Sequence, residues 1–226
     1  MTSQTATQIS WLLLAANFLA GYLSGSIPFG LLLSRIAGFG DIRKIGSGNI
    51  GVTNVLRTGN KWLALATLLL DMAKGIVPVY AAWVWGPGPA IYAVAAAAGA
   101  VIGHMFPSWL GFKGGKGVAT GLGVILALNW GVGLAACATW IVMAAITRYS
   151  SLAGLTAFAA APFYAYFLAD NPSVSKFLHA IVPANWHSGF GPLIVQFLAA
   201  LAILIWARHT ANITRLLSGS EPRIGR

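Results

Sequence analysis

The sequence predicts an all-α integral membrane protein with seven transmembrane helices. Of the 226 residues, 58% are hydrophobic and only 8% are charged, and the mean hydropathy is +0.76. A soluble domain carries about 25% charged residues, so this composition indicates that most of the surface faces lipid. The length leaves no room for a separate soluble domain, and residues 1–226 are expected to form a single unit.

Seven apolar segments separated by glycine, proline or charged residues are the candidate spans. A transmembrane helix needs roughly 20 apolar residues, and most of the segments approach that length. The fourth is short and covers only about 20 Å, so it is expected to recruit neighbouring residues or to be shielded by protein. The segments run over residues 8–34, 62–85, 90–107, 117–128, 131–147, 152–169 and 190–209.

The distribution of basic residues predicts which side of the membrane each connection occupies. Twelve of the fourteen Lys and Arg residues fall in the first, third and fifth connections and in the C-terminal tail. The other side, which includes the long connection 170–189, carries only Lys176. The positive-inside rule therefore predicts an external N-terminus, a cytoplasmic C-terminus and a functional surface on the cytoplasmic face.

The first basic connection, between Arg35 and Lys61, combines glycines with small polar side chains over residues 46–57. Closely spaced glycines allow backbone N–H groups to converge on an anion. An arginine can also pair with phosphate through two parallel hydrogen bonds. We therefore expect an anion site here, whose polar groups are Arg43, Ser47, Asn49, Thr53, Asn54 and Arg57.

The second basic connection places Lys113, Gly114, Gly115 and Lys116 directly before a predicted helix. Helix N-termini offer unpaired N–H groups and the positive end of the helix dipole, so this segment is a second candidate anion site. It is not a nucleotide-binding P-loop. The spacing from Gly111 to Lys116 is one residue short, and glycine replaces the required Ser or Thr.

Polar residues follow the last apolar segment. If that helix continues past residue 209, then Arg208, Asn212 and Arg215 share one face, with His209 beside it. Within the second segment, Asp71 and Lys74 stand three residues apart, which suits mutual neutralisation but leaves open ligand binding by Lys74.

Several classes of site are disfavoured by what the sequence lacks. Cys137 is the only cysteine, which excludes an intrachain disulfide and a cysteine metal cluster. The motifs of triad hydrolases and zinc proteases are also missing, and no metal or other cofactor is expected.

Three blocks of the sequence resemble the bacterial membrane acyl-phosphate:glycerol-3-phosphate acyltransferases, the PlsY family. The blocks are GSGNIGVTN with Arg57, GHMFP followed by FKGGKGVAT, and RHTANITRLLSGSE, supported by GYLSGSIPFG and DMAKG. The resemblance implies an inner-membrane enzyme of phospholipid synthesis that acylates the 1-hydroxyl of glycerol 3-phosphate from a fatty acyl phosphate. Its partners would be these two substrates and the lipid bilayer, with no nucleotide and no nucleic acid.

The resemblance also implies roles for individual residues. The catalytic residues would be Ser47, Lys116, His209 and Asn212. The substrate-binding residues would be Asn49, Thr53, Asn54, Arg57, Lys74, Lys113, Gly114, Gly115, Ser151 and Arg208. Because acyl phosphate is already activated and no carboxylate base is evident, direct transfer without an acyl-enzyme is expected. A membrane transporter of a phosphorylated anion is the alternative, since basic loops and glycine-rich helices also suit a carrier.

Overall fold

The structure, a computed structural model, describes residues 9–85, 90–169 and 192–225. Within these ranges it contains ten α-helices and no β-strand. The helices are α1 (Trp11–Gly25), α2 (Phe29–Ile36), α3 (Val52–Val55), α4 (Lys61–Trp85), α5 (Ile91–Met105), α6 (Val118–Leu128), α7 (Trp130–Thr147), α8 (Ser150–Ala169), α9 (Pro192–Ala207) and α10 (Thr210–Leu217). The predicted external connection 170–189 lies outside the described residues.

Each of the seven predicted apolar segments corresponds to helix in the structure, with α1 and α2 together forming the first. Among the described residues, four segments are long and apolar enough to cross a bilayer, and the bent pair α9–α10 would make a fifth. The four are Trp11–Ile36, Lys61–Trp85, Ile91–Leu110 and Trp130–Thr147. The all-helical architecture is confirmed, whereas the total of seven crossings remains a prediction.

Helices α1 and α5 pack through glycines on both sides of their contact. Gly21 and Gly25 of α1, and Gly99 and Gly103 of α5, each stand where a Cβ would overlap a backbone carbonyl oxygen of the partner helix. Glycine pairs four residues apart let two helix backbones approach closely, which favours association inside a membrane. This contact fixes the N-terminal helix against the centre of the protein.

Helices α4 and α6 meet in the same way. A Cβ on Gly75 would overlap the carbonyl of Thr120, and a Cβ on Gly123 would overlap that of Met72. Helix α6 has only 11 residues and is buried along most of its length, so protein shields the short fourth segment, as expected. Asn129 separates it from α7 and caps α7 by accepting the Val132 N–H at 2.9 Å.

The last apolar helix does not continue straight past residue 209, so that premise of the sequence prediction is wrong. Helix α9 ends at Ala207, and α10 leaves at an angle of 64°. The imidazole of His209, at the break, donates from Nδ1 to the carbonyl of Ile205 at 2.7 Å. Because the bend lies between Arg208 and Asn212, these two residues do not share a helix face.

The tail after α10 returns to the turn between α7 and α8. Gly219 adopts a left-handed conformation with φ of +71°, which reverses the chain. The Ile224 N–H then donates to the carbonyl of Arg148 at 2.7 Å, and the Arg148 guanidinium donates to the carbonyl of Ile224 at 3.1 Å. The C-terminal tail is therefore attached to α7 and α8 as well as to α10.

Candidate active site

One cavity of about 1020 Å³ brings together the three blocks that the sequence singled out. Its walls come from the first basic connection, from α4, α6 and α7, from the junction of α9 and α10, and from the tail. Nine of the predicted site residues line it: Ser47, Asn49, Thr53, Arg57, Lys116, Ser151, Arg208, His209 and Asn212. Residues more than 150 positions apart in sequence thus face one space.

The cavity has a cationic part and an apolar part. Lys116, Arg57, Arg208 and Arg215 contribute positive charge, and Arg223 of the tail adds another guanidinium. The apolar lining is supplied by Leu68, Met72, Leu122, Trp140 and Ile141. Such a space can hold an anionic group and a hydrocarbon chain at the same time.

Glu221 organises the corner of the cavity near α10. Its carboxylate accepts hydrogen bonds from the Ser151 hydroxyl at 2.6 Å, the Asn212 amide at 2.6 Å and the Arg215 guanidinium at 2.7 Å. Burial raises the pKa of this carboxyl, but the three hydrogen bonds outweigh burial, so its pKa is lowered overall. Glu221 was not among the predicted site residues, and its carboxylate is fully engaged with these three donors.

Lys116 lies in the cavity wall immediately before α6. Burial lowers the pKa of its ammonium group to about 8, and the nearby Arg215, Arg57 and Arg208 act in the same direction while Glu221 opposes them. An ammonium group surrounded by other cations is poised to gain a negatively charged partner.

The first basic connection is folded around Asn54. The side-chain NH₂ group of Asn54 donates to the backbone carbonyls of Ile42 and Asn49, both at 2.7 Å. The side-chain oxygen of Asn54 accepts the Ser47 N–H at 3.1 Å. Asn54 is fully buried and is not part of the cavity wall. The structure therefore gives Asn54 a scaffolding position, in which it fixes Ser47 and Asn49 at the cavity edge.

The glycines of the second basic connection are engaged with α5 and not with the cavity. The Gly114 N–H donates to the carbonyl of Met105 at 3.1 Å, and the Gly115 N–H donates to that of His104 at 3.0 Å. The N–H groups of Gly114 and Gly115, two predicted substrate-binding residues, are therefore already engaged and do not face the main cavity. Lys113 and Gly114 instead line a neighbouring shallow basin of about 440 Å³, which shares Ser47 and Asn49 with the main cavity.

Lys74 lies in the helix packing and does not line the cavity. Its ammonium group is 2.7 Å from Oδ1 of Asp71 and donates to the carbonyl of Ile27 at 2.7 Å. That carbonyl lies at the break between α1 and α2. Both side chains of the ion pair are only 2% exposed, so Lys74 neutralises Asp71 and caps the break. Asp71 itself reaches the cavity wall, as does His104, whose Nδ1 is 4.0 Å from the same carboxylate oxygen.

Comparison with known proteins identifies the family to which the chain belongs. The family model described as glycerol-3-phosphate acyltransferase matches residues 15–219. The chain belongs to this family. It is 54% identical to the glycerol-3-phosphate acyltransferase of Rhodospirillum rubrum over 226 residues, covering 97% of this chain and 95% of that relative. The glycerol-3-phosphate acyltransferase of Erythrobacter litoralis is 53% identical, with 92% and 93% covered.

Two solved structures of PlsY (YgiH), an integral membrane glycerol 3-phosphate acyltransferase, have a similar fold. The glycerol 3-phosphate form matches with a TM-score of 0.71 and 35% identity, covering 95% of this chain and 94% of that one. The lysophosphatidic acid form matches with a TM-score of 0.71 and 34% identity, with 94% and 95% covered. The chain is therefore a glycerol-3-phosphate acyltransferase of phospholipid synthesis and an integral membrane protein, as the resemblance implied.

Glu221 and Arg223 of the tail line this candidate site, but the sequence analysis assigned neither of them a role, although Glu221 ends the third block. Both line the cavity because Gly219 turns the chain back. The available signal was a lone acidic residue two positions after a glycine, in an otherwise basic tail. A carboxylate among cations is rarely buried unless paired, so this pattern would have indicated an ion pair for Glu221 but not its position in the cavity wall.

Proposed function

We propose that this acyltransferase takes its acyl group from a fatty acyl phosphate and transfers it to the 1-hydroxyl of glycerol 3-phosphate. The products are 1-acylglycerol 3-phosphate and inorganic phosphate. The proposal is supported above all by one continuous cavity with a cationic part and an apolar part. Both proposed substrates carry phosphate, and one of them carries a long hydrocarbon chain.

The cationic part is suited to two phosphate groups. Lys116 and Arg57 are the proposed phosphate ligands, with the Ser47 hydroxyl, Asn49 and Thr53 as neutral hydrogen-bonding groups. Charge-assisted hydrogen bonds from arginine and lysine are the strong contacts available to a phosphate oxygen. Cations held before the reaction also stabilise the charge that develops on a departing phosphate.

The apolar part is suited to the acyl chain. Leu68 and Met72 of α4, Leu122 of α6 and Trp140 of α7 surround a space that continues from the phosphate-binding residues. Each buried methylene contributes about 0.8 kcal/mol, so a long chain supplies most of the binding free energy of the donor. The carbonyl of the donor would then lie where the two parts of the cavity meet.

His209 is the proposed acceptor of the substrate hydroxyl. A backbone carbonyl can only accept, so the contact with Ile205 requires a proton on Nδ1 and, in the neutral ring, leaves the lone pair on Nε2. Nε2 can accept a hydrogen bond from the 1-hydroxyl and orient its oxygen. The oxygen attacks the acyl carbonyl carbon, the bond from that carbon to the phosphate oxygen breaks, and the hydroxyl proton passes to His209 or to the released phosphate.

Asn212 and Ser151 are proposed to act through Glu221. Because both donate to its carboxylate, the carbonyl oxygen of Asn212 remains available as an acceptor for a substrate hydroxyl.

Direct transfer needs no acyl-enzyme. Recovery of radiolabelled acyl chain covalently bound to denatured protein during turnover would contradict this step.

The proposed topology has seven crossings, an external N-terminus and a cytoplasmic active site in a bacterial inner membrane. It is supported by the seven apolar helical segments and by the basic residues on alternate connections. Single cysteines introduced at Lys44 and at Pro172, in a Cys137→Ala background, would test it. An impermeant thiol reagent added to intact cells should label only the cysteine at position 172.

The donor is tested with purified protein, glycerol 3-phosphate and three separate donors: palmitoyl phosphate, palmitoyl-CoA and palmitoyl acyl carrier protein. The proposal requires lysophosphatidic acid from palmitoyl phosphate alone, with one inorganic phosphate released per acyl group transferred. Product from a thioester donor alone would overturn the acyl phosphate assignment while leaving the acyltransferase intact. No product from any donor, together with uptake of glycerol 3-phosphate into proteoliposomes, would favour a carrier.

A further inference from the structure

The peptide unit that joins Gly115 to Lys116 is held by a side chain from the far end of the sequence. Nη2 of Arg208, at the junction of α9 and α10, donates to the carbonyl of Gly115 at 3.2 Å and lies 3.5 Å from that of Gly114. The same guanidinium stacks on the ring of Phe106, with 5.0 Å between its carbon and the ring centroid. Arg208 is therefore fixed both by the glycine loop and by the end of α5.

The other side of the loop is held by His104. The Gly115 N–H donates to the His104 carbonyl, and a Cβ on Gly115 would overlap the buried imidazole of the same residue. A Cβ on Gly114 would overlap the His104 carbonyl and the ring of Pro107. The two glycines are thus held between α5 and Arg208, with each of their backbone N–H and carbonyl groups in contact with a partner.

This arrangement determines where Lys116 can lie. The carbonyl of Gly115 and the N–H of Lys116 belong to one planar trans peptide unit, so they point in opposite directions. When Arg208 holds the carbonyl, the Lys116 N–H is turned away from it, and this N–H has no acceptor among the described residues. The same plane fixes the position of the Lys116 Cα, from which the side chain reaches the cavity wall.

We propose that Arg208 is a positioning residue, which holds the Gly115 carbonyl and thereby keeps Lys116 in the cavity wall. This inference rests on the proposed role of Lys116 as a phosphate ligand. It differs from the role that the resemblance implied, in which Arg208 binds substrate with its own charge. The loop needs glycine at positions 114 and 115 because it packs closely against α5.

The test measures how the reactivity of the Lys116 amine depends on pH in the absence of any substrate. Competitive acetylation of the purified protein at a series of pH values, followed by mass spectrometry, gives the pH midpoint for labelling of Lys116, with exposed Lys113 as the internal reference. The charged and titratable groups that face Lys116 are Glu221, Arg57, Arg208, His209 and Arg215. None of them changes its charge in the variants chosen.

Two variants keep the charge of the site and remove the positioning contacts. Arg208→Lys retains the positive charge, but its side chain is one atom shorter and has no planar group to stack on Phe106. Phe106→Leu leaves Arg208 intact and removes the ring that supports it. If Lys116 is released to water, burial no longer lowers its pKa, so the labelling midpoint should rise from about 8 by roughly half a unit or more in both variants.

Arg223→Lys is the matched control, since it removes a guanidinium stacked on Tyr149 in another wall of the same cavity. Its labelling midpoint for Lys116 should not change. An unchanged midpoint in Arg208→Lys and Phe106→Leu, with a raised KM for glycerol 3-phosphate, would overturn the proposal and show that Arg208 binds substrate directly. Because no substrate is present during labelling, the midpoint itself is independent of which donor the enzyme uses.

Discussion

The amide of Asn212 donates a 2.6 Å hydrogen bond to the carboxylate of Glu221, nine residues further along the chain. The Ser151 hydroxyl donates to the same oxygen at 2.6 Å, while Arg215 occupies the other carboxylate oxygen at 2.7 Å. One buried carboxylate thus joins α8, α10 and the tail beside the proposed catalytic histidine. Hydrogen bonds to a charged group contribute about 1.5–3 kcal/mol each, so we expect Glu221 to contribute to stability and, by orienting Asn212, to activity.

Glu221→Gln should lower both the melting temperature and kcat. The glutamine carbonyl can still accept from Ser151 and Asn212, but its NH₂ group would face the donor Nε of Arg215 and leave that guanidinium unpaired. We expect the free energy of unfolding to fall by about 1–3 kcal/mol and kcat to fall by roughly tenfold or more. Thermal unfolding in detergent and steady-state kinetics would measure the two effects. Wild-type stability and turnover in this variant would contradict the role assigned to Glu221.

The pKa of Lys116 predicts the alkaline limb of the pH profile. With a pKa of about 8, Lys116 is protonated below pH 8 and loses its positive charge above it. The kcat/KM for glycerol 3-phosphate should therefore be level up to about pH 8 and then fall about tenfold per pH unit. In Lys116→Arg, whose side chain stays protonated, the limb should move to higher pH. An active arginine variant with its limb still near pH 8 would assign the limb to another group.

Charge reversal at Lys116 should abolish activity without unfolding the protein. A glutamate there would repel both phosphate groups, so kcat/KM should fall by at least about a thousandfold. Lys61→Glu is the matched control, because Lys61 is exposed at the start of α4 and outside the cavity, and a glutamate suits a helix N-terminus. The control should retain nearly full turnover. Equal losses in the two variants would indicate a general electrostatic effect.

The buried pair of Asp71 and Lys74 should behave as a structural unit. Lys74→Met leaves the Asp71 carboxylate without its partner and should destabilise the protein by about 3–5 kcal/mol. Adding Asp71→Asn removes the unpaired charge, so the double variant should recover most of the melting temperature and of the turnover. A double variant that is stable but inactive would instead support substrate binding by Lys74, the alternative that the sequence left open.

The close contact between α4 and α6 should not tolerate a methyl group. In Gly123→Ala the new Cβ would overlap the carbonyl of Met72, a backbone atom that moves only with its helix. We expect this overpacking to lower the free energy of unfolding by about 1–3 kcal/mol. Gly154→Ala is the matched control, because its Cβ would meet only the side chain of Val118. If both variants unfold at the wild-type temperature, α4 and α6 are further apart than described.

The sequence predicted the helices and most of the cavity wall because both depend on local patterns. Apolar segments identified every long helix of the described residues, and glycine-rich polar patterns identified Ser47 and Lys116 as anion-site candidates. The catalytic roles of these two residues, and those of His209 and Asn212, came from the resemblance to a known family. Glu221 could not be assigned in the same way, since its contact with Ser151 joins positions 70 residues apart and depends on the reversal at Gly219. Gly114 and Gly115 were misinterpreted because glycines that pack against a helix and glycines that bind an anion have the same sequence pattern.

The length of α6 has a consequence for the meeting of a water-soluble and a lipid-soluble substrate. Its 11 residues span about 16 Å, roughly half of the hydrocarbon core. The proposed topology directs Asn129 toward the outer side and Lys116 toward the cytoplasmic side, so the two ends of α6 cannot both reach the headgroup level. Under the proposed topology, glycerol 3-phosphate reaches Lys116 from the cytoplasmic water, while the acyl carbonyl must reach the same level from the lipid. The rate of acyl transfer should therefore depend on bilayer thickness. Lipids of different chain length should change this rate at a fixed substrate concentration.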